Sequence, residues 1–173
     1  MNIAVNIPEL DQADPGSLRS NFFPLALTEQ STFLAIVLLA SSHFSAVGCT
    51  LGSENLLRLK QETLEAINEA MRRDKDLVSD ALIGTVAKMA AYEAMYGDAR
   101  TYLAHMSGLK RMIELRGGLS RLGLGGLLRR MILWIDTNSA FLIKVPLQFP
   151  GEVFADMQAT IEPNPEHFTG NAA

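Results

Sequence analysis

Residues 80–97 have the sequence DALIGTVAKMAAYEAMYG, and this stretch decides the fold class. If it is coiled into a helix, apolar side chains cover nearly the whole circumference, with Lys88 and Glu93 as the only interior charges. A helix that is apolar all round belongs in a core rather than on a surface. Ser79 is placed to cap its first turn, and Gly97 is placed to end it. The stretch therefore predicts a central buried helix.

Four further helices are predicted by apolar residues at helical spacing and by residues that start or stop helices. Two precede the central helix in the sequence, at about residues 28–48 and 54–73, and two follow it, at about residues 98–116 and 126–144. The sequence shows neither a sustained alternating strand pattern nor an internal repeat. The predicted fold class is all-α: a single irregular bundle of about five helices, as expected for one domain of 173 residues.

Two of these helices have clear apolar faces. In the predicted helix at residues 54–73, Leu57, Leu64 and Met71 repeat every seven residues and form one stripe, with Ile67 between them. In the predicted helix at residues 98–116, the fourth of the five, the apolar face consists of Tyr102, Met106, Leu109 and Ile113. The glycine pair after this fourth helix is predicted to stop it, with Gly118 at the first position beyond its end and the basic Arg116 against the helix dipole.

Outside the helices, the chain divides into two terminal segments. Residues 1–27 contain three prolines and are predicted to be an extended N-terminal segment, and residues 28–145 form the helical domain. Residues 146–173 are predicted to be a Pro-rich acidic tail. No Lys or Arg follows Lys144, whereas four of the 19 acids do, so the rest of the chain has 15 acids and 15 bases. This balance gives no overall electrostatic footprint for nucleic acid.

The cysteine content and the N-terminus indicate an intracellular protein. Cys49 is the only cysteine, which excludes an intramolecular disulfide and a multi-cysteine metal cluster. The N-terminus lacks the basic start and apolar run of a secretory signal. Residues 30–53 contain no charged residue, but the continuous apolar run FLAIVLLA is much shorter than the roughly 20 residues that span a bilayer. A buried core helix is the preferred interpretation, and no membrane contact is expected.

The sequence contains no recognisable catalytic, cofactor or metal-binding motif. The glycine-rich residues 117–126 are followed by no G-K-[ST], and a dinucleotide fingerprint would need glycine where Leu128 stands. Ser107 lies two residues after His105 in a helix, which does not form a nucleophile elbow. The histidines, His43, His105 and His167, lack the spacing of metal ligands. His105 is therefore interpreted as a core or boundary histidine, and Asp136 as a helix-boundary acid bonded to an Arg or a backbone group.

One basic stretch could approach phosphates. Residues 100–130 contain a single acid, Glu114, and seven bases: Arg100, Lys110, Arg111, Arg116, Arg121, Arg129 and Arg130. These bases spread over two helices and a linker, without aromatic residues among them to stack on bases. A solvated face is favoured, so neither sequence-specific DNA binding nor stoichiometric zinc is expected.

Residues 102–123, YLAHMSGLKRMIELRGGLSRLG, carry a resemblance to a known family. Together with the helices on either side, over about residues 20–150, they resemble the fungal-specific transcription factor domain. This is the helical regulatory region found downstream of the six-cysteine zinc-cluster motif in fungal activators. The match to that family's H-x-x-G-L…R-G-G signature consists of His105, Gly108, Leu109, Arg116, Gly117 and Gly118. The resemblance implies a nuclear, non-enzymatic regulatory module in which these six residues are structural.

The chain departs from that family's usual arrangement in two respects. It has no six-cysteine module, and the helices that usually follow are replaced by VPLQFPGE, residues 145–152. We therefore expect a truncated or stand-alone domain that binds a protein partner or self-associates; no small-molecule effector is assigned. One alternative is a small helical ligand-binding or enzymatic protein with a pocket between the third, fourth and fifth predicted helices. Another is a membrane-associated protein that uses residues 30–53.

Overall fold

The computed structural model describes residue 10 and residues 18–48, 52–73, 78–152 and 163–164, and over these residues the fold is all-α, as predicted. A π-helical turn at Leu18–Phe22 comes first, and two 3-10 turns, Leu119–Arg121 and Leu124–Gly126, precede the last helix. The helices are α1 (Phe23–Thr28), α2 (Gln30–Ala46), α3 (Ser53–Arg73), α4 (Asp80–Tyr96), α5 (Ala99–Leu115) and α6 (Leu127–Ile143). The five predicted helices correspond to α2 to α6.

The helix α4 is the centre of the bundle, as its sequence predicted. Its neighbours are α2, α3, α5 and α6, and 13 of its 17 residues are buried. The Ser79 hydroxyl accepts a hydrogen bond from the Leu82 N–H at 3.1 Å, which caps the first turn. Because every side of α4 is covered, the other helices need only one apolar face each.

The helix α5 packs its predicted face against this core. Its four predicted core residues, Tyr102, Met106, Leu109 and Ile113, are all buried. The glycine pair ends it in a Schellman motif, with hydrogen bonds of 2.9 Å from the Gly118 N–H to the Ile113 carbonyl and from the Gly117 N–H to the Glu114 carbonyl. The first position beyond the helix is therefore Gly117, and the prediction that placed Gly118 there was wrong by one residue. Gly118 follows with φ +101° and ψ 171°, a region that only glycine occupies easily.

The stripe predicted along α3 is only partly buried. Ile67 is buried and Leu64 is partly buried, but Leu57 is 69% exposed and Met71 is 44% exposed. The covered side of α3 instead consists of Thr63, Ile67 and Ala70. Because α3 packs against α2 and α4 along that line, the two ends of the predicted stripe lie outside the contact.

The N-terminal segment was predicted to be extended, but residues 18–28 are helical. Pro24 occupies the first turn of α1, where its missing N–H costs no hydrogen bond, so it does not prevent the helix. Phe22 is 3% exposed and joins the core. Residues 1–9 and 11–17 lie outside the described residues.

The beginning of the predicted tail is attached to the bundle. The backbone N–H groups of Gln148 and Phe149 donate to the Asp136 carboxylate, and the Asn164 N–H donates to the Asn138 side-chain oxygen at 2.7 Å. Buried acceptors on α6 therefore hold residues that were predicted to be tail. The remainder of residues 153–173 is outside the described part of the chain.

Across the helices that the structure describes, none by itself is long and apolar enough to cross a membrane. Leu18–Thr28 and Gln30–Ala46 together have the length and composition of a membrane span, but the two segments are bent by 119° at the break between them. In the bundle, α2 packs against α1, α3 and α4.

Candidate functional site

A carboxylate buried at the junction of three helices is the most unusual polar feature of the bundle. Glu93 on α4 is fully buried, and the Lys60 ammonium on α3 lies 2.7 Å from its Oε1 atom. The Nε2 atom of His105, on α5, lies 3.9 Å from the same oxygen. A buried charge is costly unless it is paired, so Lys60 supplies the compensation that Glu93 requires. We call Lys60, Glu93 and His105 the Glu93 cluster.

The surroundings of the Glu93 cluster are shaped to hold it. Lys60 also lies over the Tyr92 ring, 5.2 Å from its centroid, a cation–π geometry. Gly97 lies so close to the Glu93 carboxylate that a Cβ at this position would overlap it. A glycine is therefore needed there for close approach as well as for ending α4. The sequence identified Glu93 as an interior charge, but its pairing with residue 60 depends on how α3 packs.

Burial favours the neutral form of His105 in the Glu93 cluster. Burial is the main cause that lowers the pKa of His105 below its usual 6.5; the Glu93 charge raises this pKa and the Lys60 charge lowers it. His105 is thus a partly buried boundary histidine, as its sequence context suggested. Ser107 is exposed on α5, and the ionisable groups described around the His105 ring are Glu93 and Lys60. This arrangement supports helix packing rather than activation of a serine.

A second polar contact connects the end of α5 to the start of α4. The Arg116 guanidinium donates to the Val78 carbonyl at 2.7 Å, and its other terminal nitrogen lies 2.9 Å from the Asp80 carboxylate. The same carboxylate lies against Gly123, where a Cβ would overlap it. A carboxylate packed against the glycine-rich loop repels phosphate. The loop is therefore a linker between helices, as the sequence favoured, rather than a phosphate cradle.

The six residues of the family signature are distributed along α5 and its end. Leu109 is fully buried, and Gly117 and Gly118 form the helix stop described above. Gly108 differs from the other two glycines, because its φ is not positive; it is exposed within α5, and a Cβ added there would meet no atom within 4 Å. The fold of this chain therefore gives no packing reason for a glycine at position 108.

Asp136 is the second fully enclosed carboxylate, and it lies inside α6 rather than at a helix boundary as predicted. It accepts hydrogen bonds from the N–H groups of Gln148 and Phe149 at 2.9 Å and from the Tyr102 hydroxyl at 3.2 Å. The prediction of a backbone partner is confirmed, although the partner is the chain that returns after α6. Burial raises the pKa of Asp136, and its hydrogen bonds partly oppose this effect. Burial and the Asp136 charge raise the pKa of Tyr102.

The seven bases of residues 100–130 do not form one open positive surface. Arg111 pairs with Glu114 at 3.0 Å, and Arg129 pairs with Glu152 at 3.1 Å. Arg116 is occupied by Asp80, and Lys110 donates to the Gln148 side chain at 3.2 Å. Pairing with carboxylates reduces the positive potential that would attract a phosphate backbone.

A cofactor or metal would need a cavity or a ligand cluster. Within the described ranges, no group of three or more His, Asp, Glu or Cys side chains could hold a metal ion. Cys49 and His167 lie outside those ranges. An open depression of about 420 Å³ lies along α3 and is lined by Glu65, Asn68, Met71 and Arg72. It is not the pocket of the alternative hypothesis, which would lie between α4, α5 and α6.

The Glu93 cluster, the Arg116–Asp80 pair and the hydrogen bonds of Asp136 each join separate segments of the chain, so these polar groups hold together an all-helical module. Residues 5–170 match the sequence model of the family described as the fungal specific transcription factor domain. The chain belongs to this family, so the resemblance is confirmed, and the match extends beyond residues 20–150 at both ends. Comparison with curated proteins gives no match, and comparison with solved structures gives none either.

Proposed function

We propose that this chain is a non-enzymatic transcription-regulatory module that acts in the nucleus through contacts with other proteins. The observation that carries the proposal is the family match over residues 5–170, because it covers almost the whole chain. Membership of this family indicates a regulatory role. The enclosed Glu93 and Asp136 carboxylates support a non-enzymatic role, because each is occupied by groups of its own bundle.

Contact with another protein is supported by the exposed apolar residues. In the described part of the chain, 11 large apolar side chains are more than a third exposed, and the most exposed are Leu57 (69%), Leu115 (62%) and Phe141 (61%). Single exposed apolar residues are common on monomers, but three on different helices provide material for an interface. We therefore propose that the chain self-associates or binds a protein partner.

A reporter experiment tests the regulatory role. The full chain is fused to an unrelated DNA-binding domain in a fungal cell that carries a reporter with the matching site. We expect reporter output to change at least threefold in one direction relative to the DNA-binding domain alone. The matched control is the fusion that carries Gly118→Val, which should lose the effect in proportion to its loss of folded protein. Unchanged output from a fusion that is folded and nuclear would contradict the proposal.

Light scattering tests association separately. We expect the mass of the purified chain to rise above the 18.9 kDa of the monomer as its concentration increases. A folded chain that stays monomeric at all concentrations, and that also captures no protein when used as bait in fungal nuclear extract, would contradict association.

A further inference from the structure

Lys88 is the lysine of α4, and it lies against the ring of Phe22. Its ammonium nitrogen is 4.7 Å from the ring centroid. The ring fits closely against Gly84, one turn before Lys88, where an added Cβ would lie 2.7 Å from the Phe22 Cε2 atom. The Leu128 side chain closes the other side of the same notch, with its Cδ1 atom 3.5 Å from the same Cβ position. Lys88 therefore leaves the central helix one turn after this notch, beside the Phe22 ring, and it is partly exposed.

The surroundings of Lys88 differ from those of the other described lysines. Lys60 is paired with Glu93, and Lys110 donates to the Gln148 side chain. Over the described residues, the Phe22 ring is the partner of the Lys88 ammonium, and no carboxylate lies within ion-pair distance of it. An aromatic ring compensates a buried charge less fully than a carboxylate does. The neutral amine is thus less disfavoured at Lys88 than it would be beside a carboxylate.

The proton affinity of the amine follows from this geometry. Burial lowers the pKa of Lys88 from 10.5 to about 8. Roughly a tenth of the amine is then neutral at pH 7, against about 0.03% for a lysine with an ordinary pKa. The neutral amine is the nucleophilic form, and desolvation in an apolar pocket is a known way to activate a lysine.

We propose that Lys88 is an acylation site, which accepts an acyl group from small thioesters faster than the other lysines of the chain do. In this reaction the neutral Nζ atom attacks the carbonyl carbon of the thioester, and a C–N bond forms. The C–S bond breaks, the thiolate leaves with the bonding electrons, and the proton lost by nitrogen goes to water. The product is an uncharged amide beside Phe22, so the modification removes a positive charge from the junction between α4 and the N-terminal helical turn.

The test is competitive labelling of the intact folded chain with a small acetyl thioester, S-acetyl-N-acetylcysteamine. The initial acetylation rate of each lysine is measured by peptide mass spectrometry from pH 6.5 to 10.5. Lys144, which is exposed at the end of α6, serves as the internal control, with Lys60 and Lys110 as further references. At pH 7 we expect Lys88 to react about tenfold faster than Lys144, because a larger neutral fraction outweighs the weaker nucleophilicity of a less basic amine. The Lys88 rate should reach half its maximum near pH 8.

A second measurement shows whether the fold causes the preference. The same labelling in a denaturing concentration of urea should make the rates of Lys88 and Lys144 equal within about twofold, because unfolding removes the apolar surroundings. The proposal is overturned if Lys88 in the folded chain reacts no faster than Lys144 at pH 7. It is also overturned if the faster reaction persists in urea. Both results are independent of the regulatory role proposed above.

Discussion

The Lys60 ammonium lies 2.7 Å from the Glu93 carboxylate, and this ion pair joins α3 to the fully buried side of the central helix. The two partners are unequal, because Glu93 is completely enclosed whereas the Lys60 side chain is 25% exposed. Removal of the exposed partner therefore leaves a charge that water cannot reach. The pair sets how α3 lies against α4, even though its net contribution to stability need not be large.

Lys60→Met should destabilise the chain by about 3 kcal/mol, because it leaves the Glu93 carboxylate buried and unpaired. The double variant Lys60→Met/Glu93→Gln should recover more than half of this loss, since it removes both charges. Chemical denaturation of the wild type, the single variants Lys60→Met and Glu93→Gln, and the double variant gives the four free energies of unfolding. A double variant that is as unstable as the sum of its single variants would show that the two side chains do not interact.

Gly118→Val should lower the free energy of unfolding by more than about 1 kcal/mol, because a β-branched residue resists the positive φ at this position. The matched control is Gly108→Ala on the exposed side of α5, where a Cβ meets no neighbour. This control should be stabilising by up to about 1 kcal/mol, as alanine is the better helix former. Thermal unfolding measures both, and an unchanged midpoint for Gly118→Val would refute the role of this glycine in ending the helix.

Asp136→Asn should destabilise the chain by about 1–3 kcal/mol at pH 7, because one amide oxygen replaces a carboxylate that serves three donors. The pKa of Asp136 is raised in the folded state, so the folded state binds more protons than the unfolded state just above pH 3.8. The wild type should therefore gain stability relative to the variant as the pH falls toward 3.8.

The exposed Asp98 provides the opposite control for this pH experiment. Its backbone hydrogen bond from Thr101 lowers its pKa below 3.8. In this case the unfolded state binds more protons, so the wild type should lose stability relative to Asp98→Asn as the pH falls. Denaturant titrations between pH 3 and 7 measure both trends. Parallel trends for the two variants would mean that burial does not set the protonation of Asp136.

Lys88→Met should stabilise the chain by about 1 kcal/mol or more at pH 7, because it removes a poorly compensated charge from apolar surroundings. The folded-state pKa of about 8 lies below the usual 10.5, so the unfolded state binds more protons between these values. Wild-type stability relative to the variant should therefore rise as the pH increases from 8 to 10.5. Lys144→Met, at an exposed position, should shift stability by less than about 0.5 kcal/mol. A Lys88→Met variant that is less stable than the wild type at pH 7 would contradict the expected cost of burial.

The chain should show no sequence-specific DNA binding and no stoichiometric zinc. Arg111, Arg116 and Arg129 are paired with carboxylates, and the face that remains supports only salt-dependent contact, with a Kd of roughly 10⁻⁴ to 10⁻⁶ M. Random and promoter-derived duplexes are titrated at two salt concentrations, with metal analysis of the same sample. A preference above about a hundredfold for one duplex at physiological salt would reveal a DNA-binding surface that this prediction omits.

Local signals in the sequence were sufficient to predict the five helices α2 to α6 and to place their ends within two residues. Ser79 and Asp98 cap helices because each side chain bonds to an N–H only a few residues away, and the glycine pair at 117 and 118 acts over one turn. The central position of α4 was also predictable, because a helix that is apolar on all sides has no polar face to expose to water. The six signature residues were identified in the same way, as a local pattern on one helix and its end.

The contacts between distant parts of the chain were decided only by the tertiary structure. The charge of Glu93 was visible in the sequence, but its partner, 33 positions away, depends on the angle at which α3 crosses α4. Phe22 was predicted to lie in an extended segment because of the prolines near it. In the structure this segment is helical, and the Phe22 ring packs against Gly84 of the central helix. Asp136 bonds a returning backbone 12 residues later. Local hydrogen bonds fix where helices begin and end, whereas the pairing of buried charges requires the complete packing of the bundle.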